Sequence, residues 1–417
     1  MTPARTAQPP ALDDFLRELT RVLLRFSGEG AEGIARVVQR VAQAYGGRAE
    51  VVMVADGATL TVTAGARTTT LAVSAFPDVA RLDRAVALKD LVERILAGRT
   101  ALAQAEAELH GIAARPAPYP RWARLIGIVL FSVGFAPAVQ PTWYEIGSTA
   151  VLATVVALLT VLADGRRRLG QALPLLASLV VALLTLWLFA PGPGHGGPVM
   201  IMLPALFFFV PGDLFSAATA ELAAGYLSTG SARLVYAVVL LLQLYTGVLL
   251  GVAVTGSSRS ALLDTAQATD LSRWVIVISW AVFTAGLVLA FGVPLRSAGW
   301  VLLLVYLTLG VQAGGTALLG EVAGTFLAAV ALAVAADLLA RRPGRPPRLV
   351  LFLGGFFSLT VGSMGLRTLT SLAGGHVLHG FHDLMDFVTI VTTIAVGLLV
   401  GAALLPARLP GPADGGR

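Results

Sequence analysis

Seven carboxylates lie within or beside the long apolar runs of this 417-residue chain: Glu145, Asp213, Glu221, Glu321, Asp337, Asp383 and Asp386. An acid in hydrocarbon is costly unless it is paired or can take up a proton through a raised pKa. Each is therefore a candidate for ion pairing, proton transfer or substrate binding. Asp213 directly follows Pro211-Gly212, and Glu221 comes eight residues later, two helical turns on and so on the same face. Asp213 suits a proton-coupling or ammonium-binding group, and its plainer role is the N-cap of a helix that restarts after Pro-Gly. Glu221 is the second proton-coupling candidate, and its plainer role is an acid at the membrane interface. Ser216 lies on the same segment, and Gly362, Ser363 and Arg367 form a second polar group further on. Arg367 could clamp a carboxylate or pair with Asp383 or Asp386. His376, His379 and His382 precede those two acids, and His379/Asp383 and His382/Asp386 are both i,i+4 pairs. That spacing suits a divalent metal or a gate that responds near neutral pH. A solvated loop that opens a helix explains it equally simply.

Such residues must be positioned by membrane helices. The chain is 56% apolar and 13% charged, about half the usual charge of a soluble protein. Residues 1–120 hold 14 Lys+Arg and 13 Asp+Glu, whereas the other 297 hold 16 and 11. Apolar runs near 122–139, 145–163, 171–190, 198–222, 232–254, 274–292, 298–313, 321–340, 349–372 and 382–405 are long enough to cross a bilayer of ~30 Å. The N-terminus is polar and lacks a secretory pattern, so the first domain is expected in the cytoplasm. On that assignment 13 of the 16 basic residues after position 120 fall on the cytoplasmic side, as the positive-inside rule requires. Both termini are then cytoplasmic and the chain is a multi-pass protein of the cell membrane. Its basic residues sit in short loops, which argues against a nucleic-acid partner. With no Cys, disulfides, thiolate metal sites and a Cys nucleophile are excluded.

The polar first segment, residues 1–120, reads as a small α+β domain. Leu12 to Phe26 and Ile34 to Val41 have helical spacing, Glu50–Val54, Thr59–Thr63 and Thr68–Ser74 alternate as strands, and Asp83–Ala97 and Ala101–Ile112 return to helix. Thr100 is placed to cap the last helix. No nucleophile elbow, phosphate loop or metal spacing occurs here, so a scaffold or regulatory role outside the bilayer is expected. The run Arg115–Pro120 ends the domain.

The polar stretch Thr255–Ser272 divides the spans into two halves, 121–256 and 273–406, with a connector at 257–272 and a tail at 407–417. Arg121-Trp122 opens the first half and Arg273-Trp274 the second. Five spans in each half make the second upside down, a common transporter plan. Pro211-Gly212 in the fourth span and Thr360–Ser363 in the ninth each break an apolar helix, leaving backbone groups that must face a cavity. The fold class is thus a membrane all-α bundle of about ten helices in two inverted halves, behind a cytoplasmic α+β domain.

Val210-Pro-Gly212, Glu221, Gly225 and Ser228-Thr-Gly230-Ser-Ala-Arg233 resemble the Pro-Gly…Asp…Gly…Gly…Arg run of the threonine/serine exporter family. Thr360–Arg367 is similar to that family's shorter second signature, and Pro116–Trp122 to its entry into the first span. The resemblance covers about residues 11–405. It implies proton-coupled export of small polar amino acids, with dicarboxylates the alternative substrate class. The chain departs from the pattern in having Glu221 for Asp, Ala217 where a polar residue is usual, and Val361 where the second Pro would stand. On this reading the protein is no enzyme and needs no cofactor. Pro211, Gly212, Asp213, Ser216, Gly362, Ser363 and Arg367 would bind substrate, and Asp213 or Glu221 would carry the proton. The partners are a small substrate, protons and lipid, with homo-oligomerisation left open. A channel would want a symmetric polar lining, and a membrane enzyme clustered acid–base groups at one depth.

Overall fold

Leu12–Phe26 is helical because Phe15, Leu16, Leu19, Val22, Leu23 and Phe26 recur on one face, and all six are buried. A computed structural model describes residues 12–26, 30–54, 57–75, 81–189, 197–223, 225–257, 271–359 and 377–405. This first helix, α1, is followed by α2 (Ala31–Ala44), strands β1 (Arg48–Val54), β2 (Gly57–Ala64) and β3 (Arg67–Ser74), and helices α3 (Leu82–Leu96) and α4 (Leu102–Ala114). The strands form one antiparallel meander in the order β1-β2-β3. In it Val51 pairs with Leu60, and Leu60 with Leu71. One apolar core joins α1 to α4 and the sheet. Thr100 does not cap α4. Ala101 occupies the cap position without a side-chain bond, and the buried Thr100 hydroxyl has no partner. The Thr100 carbonyl instead accepts a hydrogen bond from the Tyr45 hydroxyl at 3.0 Å.

Past Pro120 the chain is helical: α5 (Arg121–Phe135), α6 (Trp143–Ala163), α7 (Arg167–Leu188), α8 (Pro198–Leu206), α9 (Gly212–Ala223) and α10 (Leu227–Thr255), then α11 (Arg273–Ala290), α12 (Leu295–Leu319), α13 (Glu321–Ala340), α14 (Arg348–Ser358) and α15 (Val377–Ala403). Among the described residues eight helices are long and apolar enough to cross a membrane, and the α8 and α14 regions are shorter apolar helices. Large aliphatic residues such as Leu162, Val235, Ile278 and Leu303 are exposed along these spans, a surface that only lipid would cover favourably. Trp122, Trp143, Trp187 and Trp274 are exposed within two residues of a helix end, the placement of an interfacial aromatic belt.

One expectation is corrected at the seventh span. Gly314-Gly315 lies inside α12, which runs on to Leu319. Gly315 is a packing surface, where a Cβ would stand 2.7 Å from Gly324 Cα of α13, while Gly314 faces open space.

Helices α5 and α11 cross in intimate antiparallel contact. A Cβ on Gly134 would fall 2.2 Å from the backbone nitrogen of Phe283, and one on Gly286 would fall 2.1 Å from that of Phe131. Both helices carry Phe-x-x-Gly, and each glycine receives the other helix's phenylalanine. A second pair of contacts repeats in the same way. Gly247 and Gly251 of α10 sit against Ser178 and Ala182 of α7, and Gly397 and Gly401 of α15 sit against Ala329 and Ala333 of α13. Small residues four apart are what allow membrane helices to approach so closely.

The domain is not separate from the bundle. Leu82 and Val86 of α3 belong to the bundle's apolar core, and the Leu82 amide donates to the Phe291 carbonyl at 3.0 Å. The Tyr119 hydroxyl donates to the Val293 carbonyl at 2.6 Å. Burial, with the Asp83 carboxylate second, raises the Tyr119 pKa above its ordinary value, so the phenol keeps the proton it donates. Gly292 makes this turn with φ of +67°, and a Cβ there would stand 3.3 Å from Pro118.

Candidate functional site

The fourth span is interrupted where Pro-Gly falls. After α8 the chain makes a 3-10 turn over Phe207–Phe209, Val210 is extended, and Gly212 begins α9. Pro211 and Gly212 are buried. In the other half, α14 stops at Ser358. The expected break at Thr360–Ser363, with Gly362, Ser363 and Arg367, lies outside the described residues.

Twelve residues from Pro198 to Phe209 and eleven from Arg348 to Ser358 each rise about 16–18 Å at 1.5 Å per residue, about half of a ~30 Å hydrocarbon layer. The two segments enter from opposite faces. The α8–α9 path ends beside the N-terminal domain, where Gly30 meets Glu221. The α14 path starts beside it, where the Lys89 ammonium donates to the Arg345 carbonyl at 2.7 Å. Both half-length helices therefore stop near mid-depth, and they meet there: the Phe207 and Phe357 rings are 5.7 Å apart.

Around that meeting point the aromatic rings are packed together. Phe131 lies 5.5 Å from Phe207, 5.3 Å from Phe357 and 4.6 Å from Phe283. Phe135 stacks on Phe207 at 3.8 Å. Phe131 and Phe135 come from α5 and Phe283 from α11, so the antiparallel helix pair carries the aromatic cluster between the interrupted fourth span and α14. These phenylalanines were not foreseen as part of the site. Their signal was present in the sequence as Phe131-x-x-Gly134 and Phe283-x-x-Gly286.

Two polar features lie near the cluster. Ser132, next to Phe131, is fully buried and its hydroxyl has no hydrogen-bond partner. Buried Gln140 donates from Nε2 to Thr149 Oγ1 at 2.6 Å and to the Met200 carbonyl at 2.8 Å. That carbonyl is left over because Pro204, four residues on, has no N–H to give it. Gln140 thus restores what the proline removed.

Asp213 and Ser216 occupy the first two turns of α9, and their side chains lie outside the described residues. Glu221, near the other end of α9, is buried rather than lying at an open interface. Its Oε1 is 3.1 Å from Arg233 Nη1 on α10, yet neither oxygen has a hydrogen bond of good geometry. His379, His382 and Asp383 lie on the first turns of α15 with side chains outside the described residues, whereas Asp386 is exposed. Among the described residues no group of three metal-ligating side chains occurs. Packing joins α9 to α15 through Phe215 and Phe387, whose rings are 5.4 Å apart. Glu145 closes a capping box with Thr142, and Asp337 pairs with Arg341 at 2.7 Å.

An interrupted span whose first part meets a second half-length apolar helix, with exposed aliphatic surfaces around them, fits a multi-pass membrane protein of transporter type. The chain belongs to the threonine/serine exporter (ThrE) family, whose model matches residues 14–255. It is 26% identical over 407 residues to the probable threonine/serine exporter of Mycobacterium tuberculosis, covering 94% of this chain and 76% of that relative. No solved structure matches it.

Proposed function

We propose that the protein is a secondary transporter that exports small polar amino acids of the threonine/serine type across the cell membrane in exchange for protons. The observation that carries this reading is the contact of Phe207 with Phe357 at 5.7 Å, which brings the ends of two half-length helices together. At such a break the first-turn N–H groups of the following helix have no intrahelical acceptor. Together with the helix dipole they suit a substrate carboxylate. Asp213, at the start of α9, is assigned the ammonium group or the coupling proton. Gly362, Ser363 and Arg367 are assigned to the matching break in the second half. The aromatic cluster would seal the path between substrate-loading events.

The reciprocal Phe131–Gly286 and Phe283–Gly134 contacts, and the matched glycine pairs on α10 and α15, support two five-helix halves related by inversion. The bias of Arg toward the domain face supports a cytoplasmic N-terminal domain. Uptake of a labelled panel of amino acids and dicarboxylates into proteoliposomes, with and without a pH gradient, tests the proposal. Threonine and serine should move and be accelerated by the gradient. Transport of dicarboxylates alone, or none that depends on the gradient, would overturn it.

A further inference from the structure

The N-terminal domain grips both membrane halves, and it grips them differently. Against the second half the attachment is extensive. Leu82 and Val86 enter the bundle core, the Leu82 amide bonds to Phe291, Lys89 bonds to the Arg345 carbonyl, and Asp90 pairs with Arg296 at 2.9 Å. The Arg345 guanidinium in turn lies over the Trp300 ring, 4.1 Å from its centroid, fixing the loop that α3 holds. Against the first half, apart from the continuous chain through Arg115–Pro120 into α5, the contact among the described residues is slight. Strand β1 touches α10, and Gly30, the N-cap residue of α2, faces Glu221, where a Cβ would stand 3.7 Å from Oε1.

What faces Glu221 is nevertheless a matched electrostatic partner. The amino end of α2 carries partial positive charge, and Gly30 makes no side-chain cap. Glu221 is buried, and among the described residues both its oxygens lack good hydrogen bonds and the Arg233 guanidinium is its one ion-pair partner. Arg233 belongs to the same half as Glu221, so the domain is held at this point by the α2 dipole alone, with no hydrogen bond among the described residues, and such an attachment separates more readily than a core contact. Glu221 also sits at the far end of the helix that begins at Pro211-Gly212, so movement of α9 would be felt at this contact.

We infer that the N-terminal domain is a clamp across the cytoplasmic face, hinged on the second half through α3 and latched to the first half through Gly30 and Glu221. When α9 moves to open the cytoplasmic mouth, the latch parts and the hinge stays closed. This inference rests on the exporter reading, because only a transporter with moving halves needs the latch to part.

The natural absence of Cys permits a direct test with single-cysteine reporters, Gly30→Cys at the latch and Asp90→Cys at the hinge. Gly30 has φ −66° and ψ 171°, a conformation open to any residue, and a Cβ there makes an ordinary contact at 3.7 Å. Maleimide labelling from the domain side is measured at rest and during threonine transport driven by a pH gradient. Labelling at position 30 should accelerate during transport while labelling at position 90 stays constant. Joining Asp90→Cys to Arg296→Cys with a bifunctional thiol reagent should leave transport running. Unchanged labelling at position 30, faster labelling at both positions, or arrest by the hinge cross-link would each overturn the clamp. Failure of the unmodified protein to transport would instead overturn the exporter reading.

Discussion

Glu221 and Asp213 lie on one helix, yet they stand in different physical settings. Glu221 is paired with Arg233 beneath the N-terminal domain, so its charge has a local use that needs no proton transfer. Asp213 opens α9 at the break. Asp213→Asn keeps the size and the capping ability of the side chain and is expected to abolish pH-driven transport while sparing substrate exchange. Glu221→Gln is expected to keep proton drive. Measuring gradient-driven transport and exchange for both variants checks the assignment, and the reverse pattern would make Glu221 the coupling acid. The helix break at Pro211-Gly212 was legible in the sequence, since proline followed by glycine cannot continue an apolar helix unbroken. The partner of Glu221 was not, because Arg233 reaches it across a turn from another helix and Gly30 reaches it from another domain. Thr100 shows the same limit: its type suits a cap, but tertiary packing turned its hydroxyl to an unpaired site.

At the scale of elements, glycine determines which helices touch. Gly134 and Gly286 let α5 and α11 approach until any side chain at either position would overlap the partner's backbone. Gly134→Leu should therefore part the pair and the aromatic cluster it carries. Overpacking of a tight core costs about 1–3 kcal/mol, and backbone overlap places this substitution at or above the upper end. A lowered thermal unfolding temperature in detergent, with Gly299→Leu as a control where a Cβ meets nothing, reads out the difference. Periodicity alone placed most helices within a few residues, because apolar runs of span length have one outcome in lipid. It failed at Gly314-Gly315, where the helix runs on and Gly315 serves as a contact surface for α13.

For the whole molecule, the sequence separated a charged domain from an apolar bundle, and composition justified that division. Composition could not show that α3 belongs to both. Its apolar positions divide between the domain core, through Leu88, Leu91 and Ile95, and the bundle core, through Leu82 and Val86. A single hydrophobic stripe in sequence does not say which neighbour covers which part. The meeting of the interrupted fourth span with α14 was likewise outside what spacing could show, although the break at Pro211-Gly212 could be expected. Export coupled to protons is the central proposal. Its most direct test is the pH inside proteoliposomes loaded with a pH-sensitive dye, recorded as an outward threonine gradient is imposed without any initial pH difference. The account predicts that threonine efflux acidifies the lumen and that Asp213→Asn abolishes the change. Efflux of threonine with no change in lumenal pH would contradict it.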